Sequence, residues 1–505
     1  MLIDLNQTKV LKRIIIALYA LVFGFLLLNR VFLIFDYTTD LGGIEQVFTY
    51  YILLVIQHLE LYTAWHEIPF ANNQYGFIYF ELLGRICSSN DPIDINRLAR
   101  FINLLFNLGT AFVALKIFTT LYKPSKLESV IVFFAVFLSF QNLHFATRPD
   151  SLKSLLVLCM LFLFLNIVKH KERIIYPVTF ILVSATAVFT KQDAIIVFVL
   201  LSGIGIIFFN RKSWLMITSS SSLVFVCLFF AANAYYGKHF YDNILLPSSF
   251  NFNVHYFYLA IFKQYFHWFI FIVLSILLYY KSAQHNAKKI ALFLGLWFIG
   301  TIFVSLKWGA APNYFQEIVI VCVLLIIALG MQEQSKVIKN LFFVLPLLFL
   351  LSDVLIGNIK VYHRDESMEN KAIYEDYLKA GALVEKHANQ ANYYLLTYEK
   401  YLCNLYPKHC LFPSYESNMP EELVKSKAYY FPGAESKKIF PNSPDVKGML
   451  SAENLMSKVD DQELFLVCAK KVPIHSMFSI ALNQTELIDS SQFFYLYRKP
   501  SIQTP

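Results

Sequence analysis

Long apolar runs separated by short polar junctions fill this chain to about residue 357. They lie at roughly 13–35, 98–121, 127–145, 151–168, 174–190, 193–209, 213–235, 256–280, 288–306, 313–331 and 337–357. As helices, such runs suit a crossing of ~30 Å of hydrocarbon. The pattern predicts a polytopic α-helical membrane protein with about eleven transmembrane helices.

The junctions alternate in character. One set carries Lys9, Lys12 and Arg13; Lys123 and Lys126; Lys169, Lys171 and Arg173; Arg211 and Lys212; Lys281, Lys288 and Lys289; Lys336 and Lys339. The other reads DYTTDLGGIEQ, RPDS, KQDA, YGKHFYDN and KWGAAPNYFQE. Excess Lys and Arg marks the cytoplasmic side, so the amino terminus is expected inside and the second set outside. An odd number of spans places the tail outside too. The first run follows Lys12-Arg13 as a secretion signal would, but no small-residue cleavage site follows, so it reads as an uncleaved helix.

The first outer loop, 36–97, is far longer than a connection needs. EQVFTYYILLVIQHLELYTAW and YGFIYFELLGRI are helical in pattern but too short to span comfortably, and are expected to lie in the outer interface. From 358 to 505 the character changes, with charges, Pro and Asn throughout. NYYLLTY, ELFLVCA and FFYLYRK read as strands and NKAIYEDYLKAGALVEKHA as a helix. The prediction is a transmembrane catalytic domain, 1–357, followed by a small extracytoplasmic α/β domain, 358–505.

Composition agrees. Of 505 residues, 57% are hydrophobic and 15% charged, too few charges to cover a soluble body, so lipid is the solvent for most of the chain. The net charge of +8 belongs to the basic junctions, where anionic lipid is its contact, and calls for no nucleic-acid partner. None of the seven Cys forms a CxxC or Cys/His cluster, which argues against a cysteine-based metal site. Cys403 and Cys410 either pair as a disulfide in an exported tail or stay as two thiols.

Acids and bases collect at the outer helix ends: Asp40 and Glu45; Arg148 and Asp150; Lys191, Gln192 and Asp193; Lys307, Asn313, Tyr314 and Glu317. Singly, each reads as an interfacial anchor, a local ion pair or a solvated loop carboxylate. Together, beside hydrocarbon, they point to function. They suit a substrate with an anionic head and a greasy tail: Arg148, Lys191 or Lys307 holds a lipid phosphate while a carboxylate handles a nearby hydroxyl. Asp40 and Glu45 flank Gly42-Gly43, and a turn there brings both to one site.

Three stretches in this order and on one side carry a resemblance: Glu45 followed by LELY, Pro69 and YGFIYF; RPDSLKSLLVL; and FTKQDAIIVF. Over about the first 330 residues the chain is similar to the GT-C superfamily of polytopic glycosyltransferases. The branch is the polyprenyl-phosphate-sugar-dependent one, with protein mannosyltransferases and the lipid A aminoarabinose transferase. The resemblance implies a polyprenyl-phosphate sugar donor, an acceptor hydroxyl on a lipid, glycan or protein, and inversion at the anomeric carbon. It assigns the base to Glu45, with Asp40 in reserve because the family often has an Asp-Glu pair where this chain has Glu45-Gln46. Asp150 orients acceptor, sugar or a divalent metal ion, the one cofactor left open. Lys191 sits near the donor phosphate, with Arg148 and Lys307 as helpers, and Tyr75, Asn313 and Tyr314 contact substrate. The resemblance favours the bacterial inner membrane.

Two alternatives stand beside this reading. An O-antigen-type polymerase or ligase is expected to have a large late outer loop rich in Arg and His; here the large loop comes first. A lipid-linked sugar transporter is expected to carry charges mid-helix, and often inverted repeats. Here the charges crowd the helix ends.

Overall fold

A computed structural model of the chain describes residues 5–411, apart from 37–40, 42–44, 64–72, 74, 141, 171, 246–253, 283–286, 307–311, 334, 365–366, 389–392 and 398–399, together with 462–470 and 485–499. Helices form at every apolar run. In order they are α1 (Leu5–Phe35), α2 (Glu45–Ile56), α3 (Ile78–Ile86), α4 (Pro92–Leu121), α5 (Lys126–Leu138), α6 (Asn142–Phe145), α7 (Asp150–Lys169), α8 (Ile175–Thr190), α9 (Ala194–Phe208) and α10 (Arg211–Tyr236). Next come α11 (His239–Leu245), α12 (Val254–Phe257) with a π-helical turn, α13 (Phe266–Tyr280), α14 (Ala287–Ser305), a 3₁₀ turn (Pro312–Phe315), α15 (Gln316–Gln332) and α16 (Lys336–Arg364).

Among the described residues, six stretches are long and apolar enough to cross a membrane: Val10–Phe35, Pro92–Leu121, Asp150–Lys169, Arg211–Tyr236, Ala287–Ser305 and Pro312–Gln332. The chain is an integral membrane protein. The expected eleven crossings are not established, because α8, α9 and α13 are apolar but shorter; the 16 residues of α8 reach only about 24 Å.

Lipid-facing and core helices differ in pattern. Leu21, Leu28 and Phe35 on α1, and Met216, Leu223 and Phe230 on α10, are all more than 60% exposed and recur every seven residues, as one apolar stripe turned outward. By contrast α15 is apolar all round and buried along nearly its whole length. It is the central helix of the bundle, against α5, α13 and α16.

Local chemistry sets the helix starts. Asp91 caps α4 by accepting from the Ile93 amide at 2.9 Å, with Pro92 at the first helical position. Ser125 and Glu128 form a capping box on α5. Glu128 also meets Lys12 Nζ at 3.4 Å and Lys339 Nζ at 2.9 Å, so three basic junctions gather at one end of α5. At the other end, Gln316 at the start of α15 donates to the Ser139 carbonyl at 3.0 Å. The basic and acidic junctions thus segregate to opposite ends of the same helices.

The first-loop helix α2 is covered by protein on several sides. Tyr50 to Leu53 are no more than 1% exposed, because α2 is enclosed by α3, α4 and the tail. Its near-continuous apolar run suits burial on all sides.

In the tail, α17 (Ser367–His387) packs on a four-stranded sheet of β1 (Tyr393–Thr397), β2 (Glu463–Ala469), β3 (Glu486–Ser490) and β4 (Phe494–Lys499). The strand order is β1-β2-β4-β3, with β1 and β2 parallel and the other pairs antiparallel. Ala380 and Val384 of α17 join Leu395, Phe465 and Phe494 in one core. Cys403 and Cys410 form a disulfide that closes the turn after the short helix α18 (Lys400–Leu405). From α18, Asn404 Nδ2 donates to the Gln46 carbonyl at 2.9 Å and to Gln46 Oε1 at 2.7 Å. The tail is anchored to the first turn of α2, one residue from Glu45.

Candidate active site

The irregular segment between α6 and α7 is fully buried, so its backbone needs partners. Side chains of α4 supply them. Asn103 Nδ2 donates to the Ala146 carbonyl at 2.5 Å, and Asn107 Nδ2 to the His144 carbonyl at 3.4 Å. Asn96 Oδ1 accepts from Thr147 Oγ1 at 2.6 Å and from Thr49 Oγ1 of α2 at 2.9 Å. This lattice fixes where Arg148 and Asp150 emerge.

Asp150, at the first turn of α7, is fully buried and gathers cations. Its Oδ1 accepts from Lys191 Nζ at 2.6 Å and from Asn313 Nδ2 at 2.7 Å; its Oδ2 lies 3.2 Å from Arg148 Nε. Lys191 Nζ stands 4.4 Å from the centre of the Tyr314 ring and 6.0 Å from that of Tyr75. Tyr75 reaches this place because Gly76 lies against α8: a Cβ there would sit 1.8 Å from the Phe189 carbonyl oxygen. Six predicted residues, Tyr75, Arg148, Asp150, Lys191, Asn313 and Tyr314, therefore come together from the first outer loop, α7, the α8–α9 junction and the start of α15. Asp40 and Lys307 lie outside the described residues.

Glu45 belongs to the same region and is enclosed by donors. Its Oε1 accepts from Arg100 Nε at 3.0 Å and the Thr147 amide at 2.8 Å; its Oε2 accepts from Arg100 Nη2 at 2.5 Å and the Leu41 amide at 2.6 Å. Four bonds fill the four lone-pair positions of a carboxylate, two of them from one bidentate guanidinium. That geometry leaves Glu45 no open lone-pair position, which favours its reserve, Asp40, as the base. Glu45 instead ties α2 to α4, to the segment before Arg148 and to Leu41, which follows Asp40 in the chain.

Two contributors had no sequence assignment. Arg100 lies one helical stretch away from the motif it completes and carries no local signal. Lys153 stands three residues after Asp150, a spacing that puts both on one helix face. Its Nζ meets Asp193 Oδ2 at 3.0 Å and Glu317 Oε1 at 3.1 Å. The RPDSLKS spacing held that signal.

For a divalent metal ion, the described residues offer no group of three His, Cys, Asp or Glu side chains that fits one. Glu45 and Asp150 already bear cations, so the described residues do not fit the ion and no step below is routed through it.

No protein-family model matches this sequence, and no curated protein matches it. Solved structures do. The chain is similar to the aminoarabinose transferase ArnT from Cupriavidus metallidurans bound to undecaprenyl phosphate, at TM-score 0.51 and 11% identity over 97% of this chain and 98% of that one. It is also similar to the oligosaccharyltransferase AglB from Archaeoglobus fulgidus in complex with an inhibitory peptide and a dolichol-phosphate, at TM-score 0.52 and 12% identity over 89% and 69%. The apo form of the Archaeoglobus fulgidus oligosaccharyltransferase gives TM-score 0.54 at 11% identity over 98% and 75%. The likeness to these transferases is one of fold.

Proposed function

We propose that this protein moves a sugar from a polyprenyl-phosphate carrier to an acceptor hydroxyl on a lipid, glycan or protein, with inversion, at the outer face of a bacterial inner membrane. The observation that carries the reading is the set of buried cations, Arg148 and Lys191, held side by side on Asp150 at the outer-junction end of an apolar helical body. Such a set suits a phosphate whose tail lies in lipid. Two GT-C neighbours hold polyprenyl phosphates by their own description, which supports the same donor class here.

Asp40 takes the role of base, since Glu45 is saturated. The acceptor oxygen attacks the anomeric carbon as the sugar–phosphate bond breaks. Asp40 receives the hydroxyl proton. The leaving phosphate keeps the bonding electrons, and Lys191 and Arg148 stabilise its growing charge in low dielectric, with Lys307 a third cation from the α14–α15 junction. Asp150 holds both cations in place, and Tyr75, Asn313 and Tyr314 line the substrate side. A single displacement needs one base and no carboxylate nucleophile.

The amino terminus and basic junctions are assigned to the cytoplasm and the tail to the outside. The Cys403–Cys410 disulfide supports that side, because such bonds persist in oxidising compartments.

Purified protein is given a lipid-phosphate sugar with a labelled carrier. Release of free polyprenyl phosphate that depends on acceptor is the expected result; a transporter leaves that bond intact. Asp40→Asn is expected to cut release by roughly 10²- to 10⁴-fold with an unchanged melting temperature. Full activity in that variant rejects Asp40 as base.

A further inference from the structure

One turn along α7 from Asp150, a second charged group has no role in the transfer step. Lys153 Nζ contacts Asp193 Oδ2 and Glu317 Oε1, and Ser154 Oγ donates to the same Glu317 oxygen at 2.6 Å. One ammonium lies between two carboxylates. A cleft opens beside it, walled by Trp297, Thr301 and Tyr314, with room for about one water-sized group. Asp193 lines that cleft, and its Oδ1 has no hydrogen-bond partner among the described residues, although its side chain is only 9% exposed. A buried carboxylate oxygen left without a donor is costly, so an acceptor kept in that state is suited to a donor that arrives from outside.

The cleft lies one ring away from the cations placed above at the phosphate. Tyr314 is the shared wall: Lys191 Nζ lies 4.4 Å and Lys153 Nζ 5.9 Å from its ring centre. A group in the cleft and a group held by Lys191 therefore face the same tyrosine.

The geometry points to Asp193 and Glu317 as a specificity subsite that takes one hydrogen-bond-donating substituent of the transferred sugar, a hydroxyl or an amine, and refuses an anionic one. This rests on the glycosyltransferase reading above. A neutral hydroxyl or an ammonium satisfies Asp193 Oδ1. A carboxylate, as in a uronic acid, meets two carboxylates there and offers Asp193 Oδ1 no proton.

The test uses the full-length protein in lipid nanodiscs and polyprenyl-phosphate sugars that differ at one position: hydroxyl, amine, deoxy and carboxylate. Wild type is expected to prefer the hydroxyl or amine donor over the carboxylate and deoxy donors by at least about 100-fold in kcat/KM. Asp193→Asn keeps the shape and removes the charge. It is expected to lower kcat/KM for the preferred donor about 10- to 100-fold and to narrow the discrimination against the carboxylate at least about 10-fold. The KM for acceptor should not move. A folded Asp193→Asn with unchanged donor preference overturns the inference and leaves the cleft to a structural water. If that variant does not fold, the thermal stabilisation of wild type by each donor decides: equal stabilisation by hydroxyl and carboxylate donors overturns the subsite. Wild type that releases carrier phosphate from no donor overturns both readings, whereas transfer without discrimination overturns this one alone.

Discussion

Glu45 looks, along the chain, like an exposed acid waiting for a proton, yet Arg100 grips both of its oxygens in a site closed to solvent. Removing one member of such a pair leaves the other as an uncompensated buried charge, and the cost is of order 3–5 kcal/mol. Glu45→Ala is therefore expected to lower the melting temperature sharply in detergent. Glu45→Leu combined with Arg100→Leu is expected to recover most of that loss, since apolar replacements of a buried pair are often near neutral. A Glu45→Ala protein with native stability and no transfer would return the base to Glu45. The distinction separates a structural carboxylate from a chemical one, and it was hidden from the sequence because 55 residues separate the partners.

Between elements, the decisive contact is that of α18 on α2. Asn404 reaches Gln46 next to Glu45, and the bond from Cys403 to Cys410 holds the turn that presents it. Closing so short a loop is worth about 2–3 kcal/mol in the chain-entropy account. Cys403→Ser with Cys410→Ser is expected to lower tail stability by that order, read as faster limited proteolysis between 393 and 411 than in the α2–α4 region. Asn404→Ala loses two hydrogen bonds without touching the disulfide, and is expected to speed proteolysis by a smaller factor. Equal protection in all three proteins would show that the tail docks by other means. Strand-like runs at NYYLLTY, ELFLVCA and FFYLYRK announced the sheet, because alternation and aromatic content are local properties. The parallel pairing of β1 with β2 was not announced, since the chain between them carries no register signal.

For the whole molecule, segregation of charge to two ends is the organising fact. Lys12, Lys339 and Glu128 meet at one end, and Asp150, Lys191 and Asn313 at the other. In a background without free cysteines, Lys238→Cys is expected to react with an impermeant maleimide in intact cells, and Lys212→Cys only after permeabilisation; both positions are exposed. The reverse pattern would invert the topology and remove the outer-face site. The sequence by itself determined the solvent, the helices and six residues that the fold brings together around Asp150. Those follow from local apolar length and from charge counted junction by junction. Only the tertiary structure decided which carboxylate is occupied, that α2 is enclosed by protein, and that Arg100 and Lys153 complete the charge pattern. Ion pairing and burial depend on which distant helices pack together, and no local pattern carries that choice.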